Sequence, residues 1–167
     1  MLMHPATQTL NALGLGGMAK ALEEQQTMPG IEDLAFEERL ALLIDREKLY
    51  RMNRRLTTRL KKAKLRHAAC FEDIDLRTPR GLDKPLVMSL GSCSWIRKGR
   101  NVIITGPTGV GKSYLACALA HKACLEGHDA QYLRLPRLME DLLIAKADGR
   151  YGKLMRTFAK TPLLVQS

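Results

Sequence analysis

One short segment constrains the fold of this 167-residue chain more than any other part of it. Residues 106–113 read Gly-Pro-Thr-Gly-Val-Gly-Lys-Ser, a complete match to the pattern G-x-x-x-x-G-K-[ST]. Glycines at these positions allow backbone conformations closed to other residues, so that several N–H groups can surround one bound phosphate. The pattern needs a buried strand before it and a helix after it, and it therefore predicts an α/β fold.

The residues around this loop meet that requirement. The apolar, β-branched run at 101–105 (NVIIT) is typical of a buried parallel strand. The Ala-rich segment 113–126 predicts a helix that ends at Gly127. Strands and helices in alternation predict a parallel sheet, here an incomplete P-loop NTPase sheet. The same patterns predict two further strands, at 130–135 and 163–165, and a helix at 138–147 between them.

The loop predicts ATP and Mg²⁺ as cofactors. Lys112 has the length to reach the β- and γ-phosphates, and the Ser113 hydroxyl is a ligand type for Mg²⁺. The helix that begins near Lys112 adds the positive end of its dipole. The alternative is a glycine-rich turn that binds no nucleotide. The predicted cofactor-binding residues are Gly106, Pro107, Thr108, Gly109, Val110, Gly111, Lys112 and Ser113.

A second feature is a concentration of positive charge. The chain has 27 Lys and Arg against 17 Asp and Glu, a formal net charge of +10, and ten of these bases lie between Arg46 and Arg66 with only Glu47 opposing them. A solvated helix face is the alternative, but this excess favours contact with nucleic-acid phosphates. Since Tyr50 is the one aromatic residue nearby, we expect backbone contact without base readout. The predicted nucleic-acid contacts are Arg51, Arg54, Arg55, Arg59, Lys61, Lys62, Lys64 and Arg66.

These features predict three regions along the chain. Residues 1–70 form a basic helical DNA-binding region, 71–100 a linker with a short helix, and 101–167 a truncated P-loop ATPase core. Within the first region, Pro29 and Gly30 predict a turn after weakly helical residues. Asp33 is predicted to cap the long helix or helical hairpin that follows.

Composition excludes several classes of protein. No apolar run approaches the roughly 20 residues that span a bilayer, and the N-terminus lacks the pattern of a secretory signal. The four cysteines do not form a disulfide pattern, so we expect reduced thiols and a cytoplasmic protein. Cys117 and Cys124 are expected to pack in the core.

Efficient ATP hydrolysis is not expected. P-loop ATPases place an acidic residue at the end of a neighbouring strand, where it holds Mg²⁺ and orients water. Here the apolar run 163–165 is followed by Gln166 and Ser167. Glu140, Asp141 and Asp148 lie in or just after a predicted helix, which is the wrong geometry.

The chain contains a set of segments in a characteristic order: EERLALLIDRE, NRRLTTRLKKAKL, FEDIDLRTPRGLDK, SWI, NVIITGPTGVGKSYLACALA and DLLIAKADGR. This order resembles the IstB family, the ATP-binding helper proteins of bacterial insertion sequences, which are related to the helicase loader DnaC. That resemblance implies an AAA+ core, non-specific binding and bending of double-stranded DNA, ATP-dependent self-assembly on DNA, and delivery of a target site to a transposase. In the family, paired acids, a polar sensor and an arginine finger follow the last strand, and none of them occurs within these 167 residues.

Other functions remain open on the sequence alone. A DnaC-type helicase loader shares the architecture and differs in its partner. A small P-loop kinase would leave the basic helices unexplained. A non-catalytic fragment that binds DNA is the third alternative.

Overall fold

The computed structural model describes residues 5–79 and 81–167. These residues belong to two compact units, of which the first extends to Thr57 and the second runs from Thr58 to Ser167. The boundary lies earlier in the chain than residue 70, where the predicted basic helical region ends. None of the described helices is long and apolar enough to cross a membrane.

The first unit is helical, as the sequence predicts. Helices α1 (Pro5–Ala12) and α2 (Gly16–Thr27) precede a short 3-10 turn at Ile31–Asp33, and α3 (Phe36–Ala63) begins in this unit and ends in the second. The turn that separates α2 from α3 contains Gly30 in the left-handed conformation (φ 78°), as the Pro-Gly pair predicts.

The predicted cap at Asp33 is wrong. Asp33 ends the 3-10 turn, and α3 begins at Phe36. The side chain of Glu38 reaches back instead, and its Oε2 accepts a hydrogen bond from the Ala35 N–H (2.9 Å). A glutamate in the first turn of a helix satisfies the preceding backbone N–H in this way, so a cap at Asp33 is not needed.

A buried carboxylate joins α2 to α3. Glu47 Oε2 accepts hydrogen bonds from the backbone N–H groups of Gly17 (2.7 Å) and Met18 (3.1 Å) at the start of α2, while Arg51 Nε donates to Oε1 (2.6 Å). The hydrogen bond from Arg51 lowers the pKa of Glu47, and the two backbone hydrogen bonds act in the same direction against its burial. Glu47 thus supplies the negative charge that the N-terminus of α2 favours.

The second unit contains a parallel sheet of two strands and most of the predicted helices. β1 and β2 pair in parallel with Ala130 opposite Leu163 and Leu133 opposite Gln166. The predicted strands at 130–135 and 163–165 are confirmed, as are the helices predicted at 113–126 and 138–147. The elements are α4 (Lys84–Gly91), α5 (Ser94–Arg97), α6 (Lys112–Leu125), β1 (Ala130–Leu133), α7 (Leu135–Ala147), α8 (Tyr151–Lys160) and β2 (Leu163–Gln166).

The predicted strand at 101–105 is wrong. This segment is irregular, and Ile103 is 85% exposed, although Val102 and Ile104 on either side of it are half-buried. A strand needs a hydrogen-bonded neighbour, and the sheet of the described residues consists of β1 and β2 alone. Burial therefore alternates along the segment instead of being continuous, and the ladder that would make it a strand is absent among the described residues.

The core of the second unit surrounds α6. Leu115 and Leu119 pack with Val87 of α4, and Cys117 and Ala118 pack with Tyr132 of β1. Residues of the predicted linker complete this packing, so that 71–100 forms part of the compact unit. These are Phe71, Ile74, Leu76 and Leu90.

The cysteines of α6 lie where the sequence predicts. Cys117 and Cys124 are both 0% exposed, which confirms the expectation that they pack in the core. Burial raises the pKa of the Cys124 thiol, because the thiolate would lose its hydration there. Small side chains on this face let the helix pack closely on its neighbours.

Candidate nucleotide-binding site

The glycine-rich loop at 106–111 is exposed or half-buried and precedes α6 directly. Three of its glycines have positive φ angles: 148° at Gly106, 88° at Gly109 and 91° at Gly111. L-residues rarely adopt these conformations, so the loop geometry requires glycine. At Gly106 an added Cβ would also lie 3.3 Å from Val110 Cγ2, tighter than an ordinary van der Waals contact.

Helix α6 directs the positive end of its dipole at this loop. Gly111 is the N-cap residue and Lys112 the first helical residue. The first N–H groups of a helix have no partner within the helix, and they favour an anion at this position. Because Leu115, Cys117 and Leu119 are buried on the core face of α6, the N-terminus is held firmly in place.

Lys112 places its ammonium group over the loop. Its Nζ donates hydrogen bonds to the backbone carbonyls of Gly106 (2.8 Å) and Pro107 (2.6 Å). Phosphate oxygens can replace these carbonyls as acceptors of the Nζ hydrogen bonds. The exchange pairs the positive charge of Lys112 with a negative one. Ser113, half-buried, follows in the first turn of the helix. The structure therefore brings the predicted phosphate-binding residues together in one place, and their donor set fits a triphosphate with its metal ion.

Two cavities meet at Lys112. The larger, about 480 Å³, lies between residues 99–104 and β2, and Ser113 and Ala116 line its floor. The smaller, about 310 Å³, has walls from Gly111 and Lys112 on one side. Its other walls come from the predicted linker and from α6, and include Asp73, Ile74, Asp75, Leu82, Tyr114 and Leu115.

Sequence reasoning missed the linker residues of the smaller cavity. They precede the glycine-rich loop by some thirty positions, and no spacing rule connects them with it. The signal was the segment FEDIDL, in which three apolar residues are interspersed with three acids. Ile74 packs toward Leu115 and Leu119, while Asp75 accepts hydrogen bonds from the N–H groups of Arg77 (2.9 Å) and Thr78 (3.2 Å).

The downstream carboxylates lie elsewhere. Glu140 and Asp141 are on α7 and pair with Arg137, and Asp148 pairs with Arg150. Arg150 lowers the pKa of Asp148 by hydrogen bonding to its carboxylate. Among the described residues, no Asp or Glu lines the cavity that contains Ser113.

The basic residues predicted to contact nucleic acid lie on α3 and just after it. In the first unit Arg51 is bound to Glu47, and Arg55 is exposed. In the second unit Arg59 is 27% exposed and its Nε donates to Asp129 Oδ1 (3.2 Å). Arg51 and Arg59 therefore have structural partners within their own units. Five other members of the set are exposed: Arg54, Lys61, Lys62, Lys64 and Arg66.

Comparison with known proteins agrees with this geometry. Residues 8–166 match the family described as IstB-like ATP binding protein. The chain belongs to the IstB-like family. A protein named as an ATP-binding protein of insertion sequence IS1162, from Pseudomonas fluorescens, is 51% identical over 99% of this chain and 71% of its own length.

Two further relatives carry similar names. The insertion sequence ATP-binding protein y4pL of Sinorhizobium fredii is 48% identical over 99% of this chain and 67% of its own length. That of insertion sequence IS21, from Pseudomonas aeruginosa, is 29% identical over 98% of this chain and 62% of its own length. The family resemblance seen in the sequence is thus confirmed, and with it the P-loop type of α/β fold.

Proposed function

We propose that this IstB-like protein binds ATP with Mg²⁺ at residues 106–113 and binds double-stranded DNA through basic residues of α3. The position of Lys112 carries the first part of this proposal. Its ammonium group, three glycines with positive φ and the N-terminus of α6 converge on one loop. The names of the relatives, all ATP-binding proteins of insertion sequences, support the choice of ATP.

The two cavities suggest how the rest of the nucleotide is held. Loop N–H groups and Lys112 bind the phosphates, and Ser113 is the residue that would hold the metal ion, which supplies charge neutralisation at the β- and γ-phosphates. The smaller cavity, with Tyr114, Ile74 and Leu82, offers an aromatic and apolar surface for the base. Asp73 and Asp75 at its edge supply acceptors for the hydroxyl groups of a ribose.

This 167-residue polypeptide should hydrolyse ATP slowly. Water attack on the γ-phosphate needs a group that orients the water, usually an acid or amide beside the metal. The cavity beside Ser113 is lined by apolar and neutral residues, and its charged lining residues are the cations Arg100 and Lys112. We expect tight binding with little phosphate release.

The DNA-binding part of the proposal depends on charge. The exposed bases near the end of α3 form a cluster that phosphates can neutralise, and such binding releases counterions. A protein of this kind acts where DNA and ATP occur together, in the cytoplasm of a bacterium. The family resemblance implies a transposase of the same insertion sequence as partner, and the relatives' names, which place them in insertion sequences, support this choice. Self-assembly on DNA is the expected response to ATP.

Titration with MgATP in a calorimeter tests the nucleotide site. Replacing Lys112 with Ala removes two hydrogen bonds and the charge over the loop, and should weaken binding at least tenfold, or about 1.4 kcal/mol. Lys160→Ala is the matched control, since it removes an exposed lysine from α8. Equal affinity of the Lys112 variant and the wild-type protein would refute the site.

A further inference from the structure

The outer edge of β2 faces a cavity in the second unit. On its inner edge β2 pairs with β1, and the Leu163 N–H donates to the Asp129 carbonyl (3.2 Å). Successive N–H groups of a strand point to opposite edges, so those of Leu164 and Gln166 point away from β1. Among the described residues, no strand or loop forms a backbone hydrogen bond with this outer edge. Such an edge is a template for pairing with another strand.

The opposite wall of the cavity is the segment that precedes the phosphate loop. The cavity, about 480 Å³ in volume, lies between residues 99–104 and β2. Within the described part of the chain, residues 101–105 form no backbone hydrogen bond with another segment. Their side chains alternate as in a strand, since Val102 and Ile104 are half-buried and Ile103 is 85% exposed. Both described walls of the cavity thus have unpaired backbone groups.

The two walls run in the same direction. Residues 101–105 lead into the phosphate loop and so toward the N-terminus of α6. β1 follows α6 after the turn at Gly127 and packs against it on the way back to that N-terminus, and β2 is parallel to β1. Lys112 and Gln166 accordingly line the same cavity. A strand between the walls can therefore pair with both of them in one parallel sheet.

The backbone of the two walls determines what kind of segment fits between them. A single extended strand offers N–H and C=O groups on both edges, whereas a helix uses these groups within itself. A folded second copy of the described residues has no such strand, because β1 and β2 are already paired with each other. The segment that fits is therefore a lone strand of a different polypeptide.

The side chains of the cavity determine the composition of that strand. Ala116 and Leu119 of α6 give the cavity an apolar floor. A strand directs every second side chain toward one face, so the positions that face α6 must be apolar. The charged lining residues are the cations Arg100 and Lys112, which favour a neutral or acidic strand over a basic one.

We propose that this cavity binds one extended strand of a separate polypeptide, apolar at alternate positions and neutral or acidic in charge, which inserts in parallel between residues 101–105 and β2. Main-chain hydrogen bonds to both walls supply the affinity, and the apolar floor selects the alternate side chains. The insertion converts residues 101–105 into a strand and extends the sheet from two strands to four.

Hydrogen–deuterium exchange of the full chain, read by NMR, tests the insertion. The probe is the acetylated and amidated peptide Thr-Val-Thr-Val-Glu-Val, whose valines can all face α6. At saturation, exchange of the Leu164 and Gln166 amides and of at least one amide within 101–105 should slow at least tenfold. The control peptide has the same sequence with N-methyl groups on its three valines, which removes the donors of one edge.

Substitution of Leu164 separates the backbone contact from the side chain. Leu164→Pro removes the N–H that points into the cavity and leaves the hydrogen bonds between β1 and β2 in place, so it should weaken peptide binding about tenfold. Leu164→Ala is the matched control, because it retains the N–H, and it should bind the peptide more tightly than Leu164→Pro. Circular dichroism melts of both variants verify that they are folded. If Leu164→Pro does not fold, the comparison of the two peptides decides.

Protection on both walls by the unmodified peptide alone, with weaker binding by Leu164→Pro than by Leu164→Ala, would support the proposal. Equal binding of the two peptides would indicate apolar adsorption instead of strand pairing and would overturn it. Protection confined to β2 would show that a strand adds to an open edge without inserting, which also contradicts the proposal. Unchanged exchange with millimolar peptide would exclude the site.

Discussion

Gly17 lies at a close approach between α2 and α3. A Cβ at this position would be 2.7 Å from Tyr50 Cβ and 2.8 Å from Glu47 Cα, so that the helix backbones would have to move apart. We expect Gly17→Ala to destabilise the first unit by about 1–3 kcal/mol in denaturant unfolding, as overpacking does.

Gly16→Ala is the matched control for this substitution. Its Cβ would meet the Tyr50 ring at 3.4 Å, an ordinary contact, and alanine has a higher helix propensity than glycine. It should be neutral or stabilising. Equal losses for the two variants would mean that helix packing at Gly17 does not limit stability.

Glu47 should make the first unit sensitive to acid. Since Arg51 and two backbone N–H groups lower its pKa from the ordinary value of 4.5, its stabilising contribution is complete above that pH. The contribution is lost as the pH falls through the lower pKa of the folded state. Glu47→Gln removes the titrating group. Between pH 6 and the acidic side of pH 4.5, the difference in unfolding free energy between wild type and variant should therefore shrink, with the loss confined to the part of this range below 4.5. A constant difference over this range would contradict the assignment.

At the level of single residues, a local motif marks the candidate phosphate site, whereas the residues that surround it could not be predicted from the sequence. Lys112 and the glycines follow from a motif whose geometry is local, and the structure brings them together. Asp73 and Tyr114 meet across a cavity because the chain folds back on itself, and no local rule contains that information. The cap at Asp33 failed for the opposite reason, since Glu38 offered a competing local hydrogen bond.

Among the elements, the segment at 101–105 and helix α8 were not predicted correctly from the sequence pattern. The apolar run was interpreted as a buried strand, but its burial alternates, and a strand also depends on a hydrogen-bonded neighbour that the sequence pattern does not specify. Helix α8 was missed although Tyr151, Leu154, Met155 and Phe158 have helical spacing. Charged residues stand between these apolar residues, and the helical period was overlooked for that reason.

The basic end of α3 should dominate DNA binding. Lys61 and Lys62 are exposed in its last turn, and among the described residues neither forms an ion pair. We expect Lys61→Glu/Lys62→Glu to weaken binding tenfold or more in fluorescence anisotropy, equally for unrelated duplexes, and to reduce the salt dependence by about one unit per lost contact.

Lys84→Glu/Lys98→Glu changes the net charge by the same amount at two exposed positions of the same unit. This control separates a local contact from the effect of overall charge. Equal weakening by both pairs would show that net charge alone attracts DNA. A strong preference for one duplex over others would contradict binding through the phosphate backbone.

On the scale of the whole molecule, the division into units could be predicted only in part. The change from basic helices to an α/β fold is visible in the composition, but the position of the boundary is not. Thr57 lies within α3, and this helix contains no Pro or Gly that would indicate a domain boundary in the sequence. Packing of 71–76 against α4 and α6 assigns the predicted linker to the second unit.

Each unit has its own core, and we expect each to unfold in its own transition. The first contains the buried residues Ala19, Ala21 and Glu47, while the second surrounds α6. In differential scanning calorimetry, MgATP should raise the transition temperature of the second unit only. At a ligand concentration one hundred times Kd, the added free energy of unfolding is about 2.7 kcal/mol. Gly17→Ala should lower only the transition of the first unit. If one transition responded equally to ATP and to Gly17→Ala, α3 would couple the two cores into a single cooperative fold.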